Sequence, residues 1–106
     1  MAKYLIVASY TAQGVKGVVA KGGTARREAV EKMVAELDGH VESFYFAFGE
    51  GDAYVVVDLP DNVGAAAIGL AVGASGAATT RTTVLLTPED IDRAAATSVN
   101  YAPPGS

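Results

Sequence analysis

"HVESFYFAFGEGDAYVVVDLPD", residues 40–61, reads as two β-strands joined by a tight turn. The arms are residues 41–48 and 53–59, and Gly49-Glu50-Gly51-Asp52 places glycines where a short loop calls for positive φ. On the first arm Phe44, Phe46 and Phe48 alternate with Val41, Tyr45 and Ala47. On the second, Val55 and Val57 alternate with Tyr54 and Val56. An antiparallel sheet covered on one side normally alternates apolar with polar. Here neither face is polar, so something has to cover both.

Working outward, "KYLIVASY" (3–10) is a first strand, rich in β-branched and aromatic residues, that stops at Thr11. A short helix can begin at Thr11, weakened by Gly14 and Gly17 and ended by Gly22-Gly23. From Thr24 to Leu37 apolar residues recur at helical spacing, with Thr24 as N-cap and Gly39 as the stop. Beyond the hairpin, Pro60 ends the strand and Asp61 caps a helix over 62–75. "TTRTTVLLT" (79–87) is a fourth strand, and Thr87-Pro88-Glu89-Asp90 opens a last short helix. The order βαββαβ predicts an α+β, ferredoxin-like fold, a four-stranded antiparallel sheet with helices on one face. A single domain over 1–98 and an irregular tail over 99–106 are expected.

Grouping the phenylalanines with Leu5, Val7, Val55, Val57 and Leu85 under the helices leaves Tyr4, Tyr10, Tyr45 and Tyr54 on the opposite face. Ile6, Val56, Val84 and Leu86 join them there. An apolar aromatic face of this width suits a subunit interface or a ligand pocket. The expectation is a homo-oligomer, a dimer or a larger closed assembly, with Tyr4, Ile6, Tyr45, Val56, Val84 and Leu86 in the interface. Burying about 800 Å² per subunit supplies a large gross driving force, much of it offset by lost rigid-body freedom. The competing arrangement folds the last helix and tail back over the sheet, with Tyr101 as a lid.

Composition narrows the chemistry. A chain of 106 residues with formal net charge -4 is a poor partner for nucleic acid. The absence of cysteine removes thiolate nucleophiles, disulfides and zinc-thiolate sites. His40 is the only histidine, so no multi-histidine metal site exists within one chain, and neither metal nor cofactor is expected. "VGAAAIGLAVGASGAA" (63–78) is too short for a bilayer; its Gly69 and Gly73, with Ala65 and Ala77, form a small-residue stripe for close helix packing. The start MAKYLIVASY lacks the pattern of a signal peptide, and a cytoplasmic location is expected. Gly22-Gly23-Thr24 followed by Arg26 and Arg27 matches no phosphate-loop pattern and reads as a helix start with solvated arginines. Arg81, between threonines in a strand, calls for an acidic partner or an anionic ligand.

"YLIVASYT", the run "GGTARREAVEKMVAELDGHVESFYFAFGEGDAYVVVDLPD" and "TTVLLTPEDID" together resemble the GYD domain family of small bacterial proteins. The family's Gly-x-Tyr-Asp turn falls on Gly49, Glu50, Gly51 and Asp52, with Gly51 in the tyrosine's place. The resemblance implies a fold like that of dimeric α/β barrels, in which two ferredoxin-like sheets associate through their open faces. Two functional readings follow. One is a non-catalytic oligomeric module that presents a shared surface or binds a small apolar or aromatic molecule. The other is a cofactor-independent oxygenase or isomerase with a tyrosine-lined interfacial pocket. For either, Tyr10, His40, Tyr45, Tyr54 and Arg81 are the candidate ligand contacts.

Overall fold

The computed structural model describes residues 1–105; Ser106, the end of the expected tail, lies outside them. The elements run β1 (Ala2–Tyr10), α1 (Ala12–Lys21), α2 (Gly23–Glu36), β2 (His40–Phe46), β3 (Ala53–Leu59), α3 (Asn62–Ser75), β4 (Ala78–Leu85) and α4 (Pro88–Ala96). The strands pair antiparallel in the order β2-β3-β1-β4, the ferredoxin-like arrangement, with α1 added to the first crossover. Among the described residues no helix is long and apolar enough to cross a membrane.

Helix boundaries follow local chemistry. Thr11 caps α1 by accepting from the Gly14 N–H, and Asp61 caps α3 by accepting from Val63 and Gly64. Thr24 does not cap α2: that helix starts at Gly23, and Gly22, at φ 86°, makes no side-chain cap bond. The left-handed residue after α2 is Asp38, at φ 60°, and not Gly39. Gly39 serves close approach instead, since a Cβ there would run into the Asp58 carbonyl oxygen and the Leu59 side chain. α4 carries a full capping box between Thr87 and Asp90.

The hairpin is looser than its sequence predicts. β2 ends at Phe46, and Phe48 lies in the connecting loop, fully exposed, instead of on the helix-covered face. Asp52 ties that loop to β1, donating its N–H to Ala8 O at 2.8 Å and accepting from the Tyr10 N–H at 2.7 Å through Oδ2. Gly49 and Gly51 do not take positive φ; Gly22, Gly76 and Gly105 do. Gly51 is buried, and a Cβ on it would run into Val7 Cγ1. A tyrosine has no room at this position on this backbone.

The assignment of faces needs correcting in β1 and β4. The register pairs Tyr4 with Val57 and Ile6 with Val55 on one side, and Tyr4 with Val84 on the other. Tyr4, Ile6 and Val84 therefore lie on the helix-covered face, while Leu5, Val7 and Leu85 lie on the open one. Tyr4 is 1% exposed and donates its hydroxyl to Asn62 Oδ1 at 2.6 Å, anchoring the start of α3. Its core partners are Ile6, Val34, Val55, Val57, Leu59, Ala65 and Ile68. Tyr4 and Ile6 are thus core residues and cannot form an interface across the open face. Val84 stays exposed at the outer edge of the covered face, and Leu86 lies beyond the end of β4.

β2 has a further irregularity. A bulge between Val41 and Ser43 inserts Glu42, so Val41 shares the covered face with Phe44 and Phe46. The rings of Phe44 and Phe46 meet edge to face with centroids 5.2 Å apart.

Candidate functional site

The corrected register lays out the open face as rows across the four strands. One row reads Tyr45, Tyr54, Val7, Arg81; the next reads Ser43, Val56, Leu5, Thr83; the third reads His40, Asp58, Lys3, Leu85. An apolar centre of Val56, Leu5, Val7 and Leu85 is thus flanked by tyrosines at one corner and by charges at the edges. Leu5, Val56, Leu85 and Tyr54 are half-buried, whereas Tyr45 is 71% exposed. The expected second apolar face exists, with Leu5, Val7 and Leu85 in place of Tyr4, Ile6 and Val84.

The charged row forms a connected cluster. Lys3 Nζ donates to both carboxylate oxygens of Asp58, at 3.0 and 3.2 Å, and lies 3.1 Å from Glu42 Oε1. His40 Nε2 is 3.0 Å from Asp58 Oδ2. Asp58 itself is 9% exposed, so its carboxylate requires these partners to offset desolvation. The hydrogen bond to Asp58, and after it the bond to Glu42, hold the Lys3 ammonium above its usual pKa. The bulge at Glu42 aims that carboxylate at Lys3. Among the described residues no grouping of His, Asp and Glu could hold a metal ion.

The five candidate ligand contacts separate. Tyr45, Tyr54 and Arg81 share one row of the open face. His40 is on that face two rows away, engaged with Asp58. Tyr10 is on the opposite face with Ile6 and Ala8, at the end of β1. Arg81 is exposed and has no carboxylate within 4.0 Å among the described residues.

Two features went unread in the sequence. The pairing of Lys3 with Asp58 is the first: 55 residues apart, they form the centre of the charged cluster. The second is an apolar cleft of about 340 Å³ on the helix-covered side, between α2 and α3, with Tyr10 and Arg26 among its lining residues. Its signal was present in α3, "NVGAAAIGLAVGAS", which offers few side chains large enough to fill the space above the sheet.

Comparison with curated proteins and with solved structures returned no match. The sequence profile of the GYD domain matches residues 4–95, spanning β1 through most of α4. The hairpin, the small-residue α3 and all but the first two residues of the central β1 fall inside that match, and the chain belongs to the GYD domain family.

Proposed function

We propose that the chain is a non-catalytic, homo-oligomeric α+β module whose open sheet face is covered by a second copy of itself. One observation carries this reading: the open face keeps an apolar centre in which Leu5, Val56 and Leu85 stay partly exposed. The loop 47–52 shields Val7 through Gly51, but α4 has no buried residue and does not fold back as a lid. The charged row at one end and the unpaired Arg81 at the other give such a contact a polar rim, the usual anatomy of a protein interface.

The His40–Asp58 pair is the feature that favours the alternative, a cofactor-independent oxygenase or isomerase closed by the partner subunit. Lys3 shares the same carboxylate, which engages Asp58 as a structural counter-ion, and the tyrosine pair lies in another row. The assembly reading uses all of these groups as a rim and needs no substrate.

Light scattering coupled to size exclusion tests the proposal. The expected outcome is a dimer or larger closed species at micromolar concentration, converted to monomer by Val56→Glu, which places a charge in the apolar centre. A wild-type monomer under those conditions overturns the reading.

A further inference from the structure

The cleft between the helices is independent of the open face. α2 packs on β2, and α3 packs on β4 and β3, without substantial contact between the two helices. The gap is floored by Ile6 and Val55 and walled by Val30, Phe44, Ile68 and Val72. Val34 and Val57, both fully buried, and Ile68, nearly so, close it at depth. Its other end lies where β1 finishes and α2 begins, and there Tyr10 and Arg26 line it. At about 340 Å³ it falls at the small end of ligand sites, which run from about 300 to 1,000 Å³.

We propose that this cleft binds a small amphiphilic carboxylic acid, its apolar body between α2 and α3 and its carboxylate on Arg26 with a hydrogen bond from Tyr10. Arg26 is the one charged residue lining the cleft among those described. It is half-buried, and no carboxylate of the described residues lies within 4.0 Å of it. A guanidinium on an apolar wall without a counter-ion gives up hydration without compensation, and its planar fork matches a carboxylate. Burial foremost, opposed by the Arg26 charge and aided by the Asp52 carboxylate, raises the pKa of the Tyr10 hydroxyl, which therefore stays protonated and able to donate at neutral pH. With a net charge of -4 the chain as a whole does not attract anions, so selection for the acid falls to Arg26 itself.

The class of ligand predicts a specific contrast. In ¹⁵N–¹H correlation spectra of the full chain, sodium octanoate is expected to shift the amides of Val30, Val72 and Ala78 saturably, and 1-octanol to do so more weakly. Arg26→Gln should weaken octanoate about tenfold, equivalent to about 1.4 kcal/mol, and leave octanol unchanged. Ala71→Leu should reduce both by filling the gap, with retained spectral dispersion showing that it folds. No saturable shift up to about 10 mM octanoate, shifts confined to the open face, or equal octanoate affinity in Arg26→Gln would each overturn the proposal. The oligomeric state is a separate measurement, so failure here leaves the assembly reading standing, and the reverse holds too.

Discussion

Asp38 and Gly39 divide between them a task that one glycine often performs at a helix end. Asp38 takes the left-handed conformation at φ 60°, where a side chain costs energy, while Gly39 takes an ordinary φ and supplies closeness to β3. Its N–H still reaches back to Val34 O at 3.1 Å, closing the last turn of α2. The two positions therefore respond oppositely to substitution. Asp38→Gly should stabilise the fold by roughly 0.5–1 kcal/mol, because glycine carries no penalty at positive φ. Gly39→Ala should destabilise it by about 1–3 kcal/mol, because the new methyl meets the backbone carbonyl of Asp58, which cannot swing away. Urea denaturation of the two variants reads both signs, and a stable Gly39→Ala would mean that β3 yields more easily than its central place in the sheet implies.

At the scale of the element, α4 shows how a short helix survives with almost no packing. Thr87 accepts from the Asp90 N–H at 3.0 Å, and Asp90 accepts from the Thr87 N–H at 3.0 Å. Arg93 pairs with the same carboxylate. The backbone bond from Thr87, foremost, holds the Asp90 carboxyl below its ordinary value of 3.8. A carboxylate with a depressed folded-state pKa contributes its stability above the unfolded value and loses it as pH falls through the folded one. The helical content of α4 should accordingly fall as the pH drops below 3.8, seen in its amide and Cα shifts, and Asp90→Ala should remove that transition. An unchanged acid transition in the variant would assign it to another group. Caps of this kind were readable in advance, as was the α3 boundary at Asp61. The phase of β1 was not, because Leu5 and Val7 alternate with Tyr4 and Ile6 and both sets are apolar. Only the register with Val57 and the reach of the Tyr4 hydroxyl to Asn62 decide between them. In β2 the inserted Glu42 shifts the alternation midway, so a period of two cannot be carried along the whole strand.

For the whole molecule the deciding feature is its shape. A compact chain of this length has a radius of gyration of about 13 Å. This one has 16.9 Å, with principal extents of 58 × 32 × 24 Å. The excess fits α4 and the chain after it standing off the body: α4 has no buried residue, and Ile91, Val99 and Tyr101 are all exposed. Sequence reasoning foresaw an uncovered second face but not its polar end, because Lys3, His40 and Asp58 meet only once the strands are in register. In the assembly proposed above, neighbouring copies supply the cover both for the open sheet face and for α4, an amphipathic helix with no buried residue. Removing residues 88–106 should then separate two quantities. Measured by urea denaturation at a concentration where both forms are monomeric, stability should change by less than about 1 kcal/mol, because α4 contributes nothing to the core. Measured by sedimentation, the dissociation constant of the assembly should rise at least about tenfold, because the helix and tail lose their place on the neighbour. An unchanged dissociation constant would leave α4 a solvated appendage and the open face closed without it. Loss of folding would show that the helix supports its own domain through contacts this geometry does not contain.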